Sequence, residues 1–161
     1  MSGRPWAAGF DVVDTGAAVP ADALAAVERE LGRLLGRGGP FRLPPALAAL
    51  LSAGVESCVR TVDGAEVEFE WLGSRMPAHY EGYAFDSYMP AAVPIALDGG
   101  GGAWCLDARA DARAGARAGD GDGDGDHPVV WVHTGTLSWS DGAWRPVAPG
   151  VAALLADRTP R

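Results

Sequence analysis

A chain of 161 residues, 48 % hydrophobic, is long enough to bury a full core without a metal or a disulfide, and it reads as one domain. Its net charge of −8 and pI of about 4.7 weigh against a nucleic-acid binder, because phosphate contact wants a basic surface. All 13 basic residues are arginine, and lysine, asparagine and glutamine are missing, so a coding bias dilutes what any single Arg, Ala or Gly says.

Residues 1–19 read as an irregular segment with a short strand at Phe10 to Val13. Met1 to Phe10 hold one arginine and no apolar core of signal-peptide length. No apolar run in the chain approaches the ~20 residues that span a bilayer. A helix then opens at Pro20-Ala21-Asp22, with Asp22 as N-cap. Leu24, Val27, Leu31, Leu34 and Leu35 recur at helical spacing. Glu28 and Glu30 precede Arg33 and Arg37, the order the helix dipole favours, and Gly38-Gly39-Pro40 stops the helix. Leu43-Pro44-Pro45 starts a second, shorter helix that buries Leu47, Leu50 and Leu51 and ends at Gly54.

Strand character follows. Val55 to Val62 is one strand, closed by Asp63-Gly64. In Glu66-Val67-Glu68-Phe69-Glu70-Trp71 three apolar residues alternate with three glutamates, so one face is core and the other an acidic row. Residues 72–93 read as a loop carrying Tyr80, Tyr83, Phe85 and Tyr88 among Glu81 and Asp86. Tyrosine there either covers the sheet or supplies stiff contact area to a partner.

Pro94 to Arg109 is the most informative stretch. Ile95 and Leu97 precede four glycines, 99 to 102, and Trp104, Cys105 and Leu106 follow, which predicts a β-hairpin with Asp98 at its turn. Both faces are apolar, so the hairpin belongs in the middle of a sheet covered on both sides. An insert at 110–126 ends in a Gly-Asp repeat, Asp120 to Asp126. An EF-hand would need a bidentate Glu at its twelfth position, where Trp131 stands, so the repeat reads as a flexible, self-repelling loop rather than a Ca²⁺ site. Pro128 to His133 is a continuous apolar strand. Leu137 to Ser140 and Ala143 to Arg145, either side of Asp141-Gly142, read as a closing hairpin with Trp139 and Trp144 paired across it. Pro149-Gly150 opens a last helix, and 158–161 read as a frayed tail.

Chemistry is sparse. Cys58 and Cys105 read as two buried thiols of a reducing, cytoplasmic compartment, with no metal-ligand spacing between them. His79 has no partner at motif spacing, and His127 and His133 sit at strand ends. There is no nucleophile elbow, zinc-protease motif or phosphate loop, so the expectation is a protein with no catalytic residues, no metal and no cofactor.

The order of parts carries more than any one motif. It resembles the SUKH superfamily, the Smi/Knr-like group, on Leu43 and Pro44, Pro94 to Ala96, Asp98 to Gly101, Cys105 to Asp107 and Pro128 to His133. The resemblance spans residues 20–157. It departs at Ala53-Gly54, where the family usually has Asn-Gly, and at the 110–126 insert. It implies an α+β domain, an antiparallel or mixed sheet with helices packed against it. It also implies a protein-binding role: bacterial members are commonly immunity proteins that neutralise a cognate toxin, often a nuclease, and eukaryotic relatives suggest a regulatory or scaffold module instead. A nuclease is basic where it holds phosphate, so an acidic inhibitor is steered to it. The candidate partner-binding residues are Glu66, Glu68, Glu70, Tyr80, Glu81, Tyr83 and Asp86. The expected partner is a basic toxin protein, with no nucleic acid and no membrane; oligomeric state is left open.

Overall fold

Seven strands pair antiparallel in unbroken chain order in this computed structural model, which describes residues 9–62, 64–114 and 126–156. They are β1 Val12–Thr15, β2 Val55–Val62, β3 Ala65–Trp71, β4 Ala92–Leu97, β5 Gly102–Asp107, β6 Val129–His133 and β7 Trp144–Ala148. Six α-helices lie between or after them: α1 Ala21–Leu34, α2 Pro45–Ser52, α3 Met76–Gly82, α4 Phe85–Tyr88, α5 Arg109–Ala114 and α6 Val151–Ala156. The α+β class follows directly: a single antiparallel meander with helices against it.

Helix α1 forms where the apolar stripe lies, burying Leu24, Val27 and Leu31. Its N-cap is Pro20, not Asp22; Asp22 sits inside the first turn, where its charge faces the positive end of the helix dipole. The helix stops one turn before the glycine pair, because Gly36 takes φ +69° and Arg37 N–H donates back to the Gly32 carbonyl. The linker is tied down through Glu28, whose carbonyl accepts from Phe41 N and whose carboxylate accepts from Leu43 N. Pro45 then occupies the first turn of α2, where a missing N–H leaves nothing unpaired, and Gly54 at φ +78° ends the segment.

The β4–β5 hairpin lies fourth and fifth of seven, buried on both faces. Trp104 and Leu106 join one apolar layer with α1, α2 and α6, together with Cys58, Phe69, Trp71 and Val129. Phe69 stacks on Trp104 with ring centroids 4.6 Å apart. Ala103 and Cys105 point the other way, into a second layer with Val130 and Val132 that is closed by Tyr80, Phe85, Met89 and Leu137. Each fully buried large side chain contributes roughly 1.5–3 kcal/mol, so both layers matter to stability. The two thiols lie in different layers, and both are buried and unpaired with each other.

Four local expectations are corrected. The strand near the start is Val12–Thr15, two residues later than its apolar run suggested, because Val12, Val13 and Asp14 pair with Val59, Cys58 and Ser57. Residues 72–93 are not a loop: a 3₁₀ turn at Gly73–Arg75, then α3 and α4, fill most of them. The closing hairpin does not form. Residues Trp144–Ala148 pair with β6, while the indoles of Trp139 and Trp144 donate to backbone carbonyls of Pro90 and Trp139. The two tryptophans do meet, edge to face at 5.4 Å, without being cross-strand partners. Finally, the first part of the 110–126 insert is helical. Asp111 of α5 accepts from Arg37 at 2.6 Å and lies 3.2 Å from His127 Nε2. The Gly-Asp repeat before Asp126, the 158–161 tail and residues 1–8 lie outside the described residues.

Candidate partner-binding surface

The second apolar layer closes the sheet only over β4 to β6. On the same side, register places Glu66, Glu68 and Glu70 opposite Thr61, Val59 and Ser57, and Val12 and Asp14 opposite Val59 and Ser57. Cross-strand partners share a face. None of these eight residues is buried, and Val12 is half exposed. The β1–β3 half of this face is therefore open to solvent and carries four carboxylates around a Val12–Val59 contact. Arg75 reaches Glu70 at 3.4 Å across exposed surface, a pair worth little net energy in water. Among the described residues, Glu66 and Glu68 have no ion-pair partner. A second nearby cation, Arg60, is turned to the core side, where it donates to the carbonyls of Gly9 and Leu154 and lies over the Phe10 ring.

The β4–β5 turn borders this row. Gly99 has φ +75°, a left-handed conformation that favours glycine, and a Cβ there would push the exposed Glu68 carboxylate aside. Asp98 holds the turn: its carboxylate accepts from Gly100 N at 2.8 Å, Gly102 N at 2.7 Å and the Trp131 indole at 2.8 Å. Burial pushes the Asp98 carboxyl up, but these hydrogen bonds outweigh it and hold it below the usual range.

The second group of candidates lies on α3 and α4, and the structure divides it. Tyr80 is 2 % exposed and stacks on Phe85, so it is a core residue and is withdrawn from the surface. Burial raises its phenol, and its hydroxyl hydrogen-bonds the Ala91 backbone. Met76 and Tyr80, both buried and four residues apart, are the helical signal that the loop reading passed over. Glu81, Tyr83 and Asp86 are exposed. Glu81 approaches Arg33 at 3.6 Å, and Tyr83 lies beside His79. Tyr88, outside the predicted set, is the most exposed large hydrophobic side chain in the described structure, at 65 %. Ala84 and Ala91 bracket this segment with φ of +55° and +66°, a backbone that costs an alanine about 1–2 kcal/mol each.

Chemical groups elsewhere are tied up. Cys105 lies wholly in apolar surroundings, and burial pushes its thiol far above the ordinary range. Burial also raises Cys58, against a 3.3 Å hydrogen bond from the Trp71 indole. Both shifts favour the neutral thiol over the nucleophilic thiolate. Among the described residues, no group of three or more His, Cys, Asp or Glu side chains is arranged to hold a metal. Asp126, the described end of the Gly-Asp repeat, instead accepts a hydrogen bond from Val151 N at the start of α6. No described helix is long and apolar enough to cross a membrane.

Compared with protein-family models and with curated proteins, the chain matches none of either.

Proposed function

We propose that this protein is a non-catalytic protein-binding domain of the SUKH type, acting in the bacterial cytoplasm as an immunity protein that binds and neutralises a cognate basic toxin. The observation that carries this reading is the open β1–β3 half-face, with Asp14, Glu66, Glu68 and Glu70 in one unburied field beside the β4–β6 part of the sheet, which is closed on both sides. A chain of net charge −8 draws a cationic partner from a distance, and a concentrated carboxylate field orients it. The order of Leu-Pro helix, Gly-rich hairpin and Trp-His strand supports the family part of the reading.

Growth rescue tests it. The reading frame beside this gene is searched for a toxin-like segment, which is expressed in a sensitive host with and without the protein. Rescue at matched expression is the expected result. A toxic neighbour that the protein leaves fully toxic contradicts the proposal and favours a regulatory module, whose partner a pull-down would then find.

A further inference from the structure

We propose that Tyr83 and Tyr88 form a platform that receives arginine side chains of a basic protein partner. The inference deepens the protein-binding reading and rests on it for the biological occupant.

Only three large hydrophobic side chains in the described structure are exposed, and two of them, Tyr83 and Tyr88, stand within six residues of each other. The segment that carries them is anchored hard, with Phe85 and Met89 fully buried and Tyr88 N–H bonded to the Ala84 carbonyl. Alanines in the left-handed conformation stand at 84, between the two tyrosines, and at 91, beyond them. Two stiff rings are thus held in solvent on a pinned support, which lowers the entropy lost when they are covered.

Charge selects the occupant. From Met76 to Ala108 the sequence has no arginine or lysine, Glu81 precedes the two tyrosines and Asp86 lies between them; Arg33 of α1 approaches Glu81 at 3.6 Å, and no ion pair among the described residues involves Asp86. Elsewhere in the molecule arginines lie over aromatic rings, Arg37 on Phe41, Arg109 on Trp139 and Arg145 on Trp131, at 3.6 to 5.0 Å; with no lysine in the chain these stacks show that the geometry is favourable, not that arginine is preferred. Among the described residues no guanidinium covers Tyr83 or Tyr88. A partner arginine supplies the missing stack and a fork for the neighbouring carboxylate, which a lysine ammonium does not match.

The chain has three tyrosines, so 3-fluorotyrosine labelling gives three ¹⁹F resonances, each assigned by a single Tyr→Phe variant. The full-length protein is titrated with a peptide alternating glycine and arginine, and separately with its lysine counterpart of equal charge. The Tyr83 and Tyr88 signals should shift saturably, with an arginine midpoint about threefold below that of lysine. Tyr80 should stay still, and Asp86→Asn should weaken the arginine response. Equal midpoints for the two peptides, or no shift of either exposed tyrosine, overturn the platform and leave growth rescue to judge the immunity reading. Shifts that follow protein concentration without peptide identify a self-contact and overturn it too.

Discussion

Replacing Asp98 by alanine tests how the central hairpin is held. The carboxylate accepts three hydrogen bonds, from Gly100 N, Gly102 N and the Trp131 indole. Gly100 is exposed and recovers its bond from water, so its loss is nearly neutral. The other two donors are part-buried. A hydrogen bond to a charged acceptor is worth about 1.5–3 kcal/mol, and taking the lower end for each gives a loss of about 3 kcal/mol. For a domain of this size that is a fall of roughly 6–12 °C in Tm. Thermal unfolding followed by circular dichroism at pH 7 measures it. The pH dependence adds a second check. The Asp98 carboxyl is depressed in the folded state, so its contribution is fully present above the unfolded value of about 4 and is lost as pH falls through the folded value. The gap between wild type and Asp98→Ala should therefore shrink below pH 4. A variant within 2 °C of wild type at pH 7, or a gap that widens in acid, would refute the view of Asp98 as the clasp between the hairpin and β6.

Two further outcomes follow from burial. Tyr80→Ala empties a site stacked on Phe85 and should destabilise the fold by about 3 kcal/mol, whereas Tyr88→Ala should stay within about 0.5 kcal/mol; urea unfolding of both variants checks the contrast. Burial lowers His127 below its ordinary value. Arg37 adds to that lowering, while Asp111, Asp126 and Asp107 oppose it without prevailing. The unfolded chain therefore binds the His127 proton at a higher pH than the folded one. Stability should fall as pH drops through 6.5 and level off below the folded value, and His127→Phe, which keeps the stack on Phe41, should flatten that slope in urea titrations between pH 5 and 8.

Elements that bury one regular stripe were legible in the sequence. The 3.6-residue period of Leu24, Val27 and Leu31, the two-residue period of β3, and the glycine turn between β4 and β5 each set type and facing correctly. The shorter pieces were not. Helices α3 and α4 run seven and four residues, too few for a period to stand out among Pro77, Gly82 and the aromatics. The closing hairpin was misread because Trp139 and Trp144 look like a cross-strand pair; their indole donors are satisfied by carbonyls outside any ladder, and β7 starts only at Trp144. Of the surface, the glutamate row was readable from alternation alone. Asp14, Val12 and the openness of that half of the sheet needed the β1–β2 register, which is a tertiary fact. Tyr80 and Tyr88 exchanged roles because three tyrosines in one segment look alike until a helix turns one of them inward.

The most direct test of the account is the rate at which this protein associates with the proposed basic toxin, sought in the reading frame beside its gene. Stopped-flow association is measured at low and high salt for wild type and for the Glu66→Arg, Glu68→Arg, Glu70→Arg triple variant. These side chains are not buried, so the variant should fold, which its far-UV spectrum and Tm are measured to check. If the open acidic half-face receives a basic partner, the wild-type rate falls steeply with salt. The variant should associate more than about tenfold more slowly at low salt and lose most of that salt dependence. Equal rates with equal salt dependence would contradict the account and move the interface off this half of the sheet.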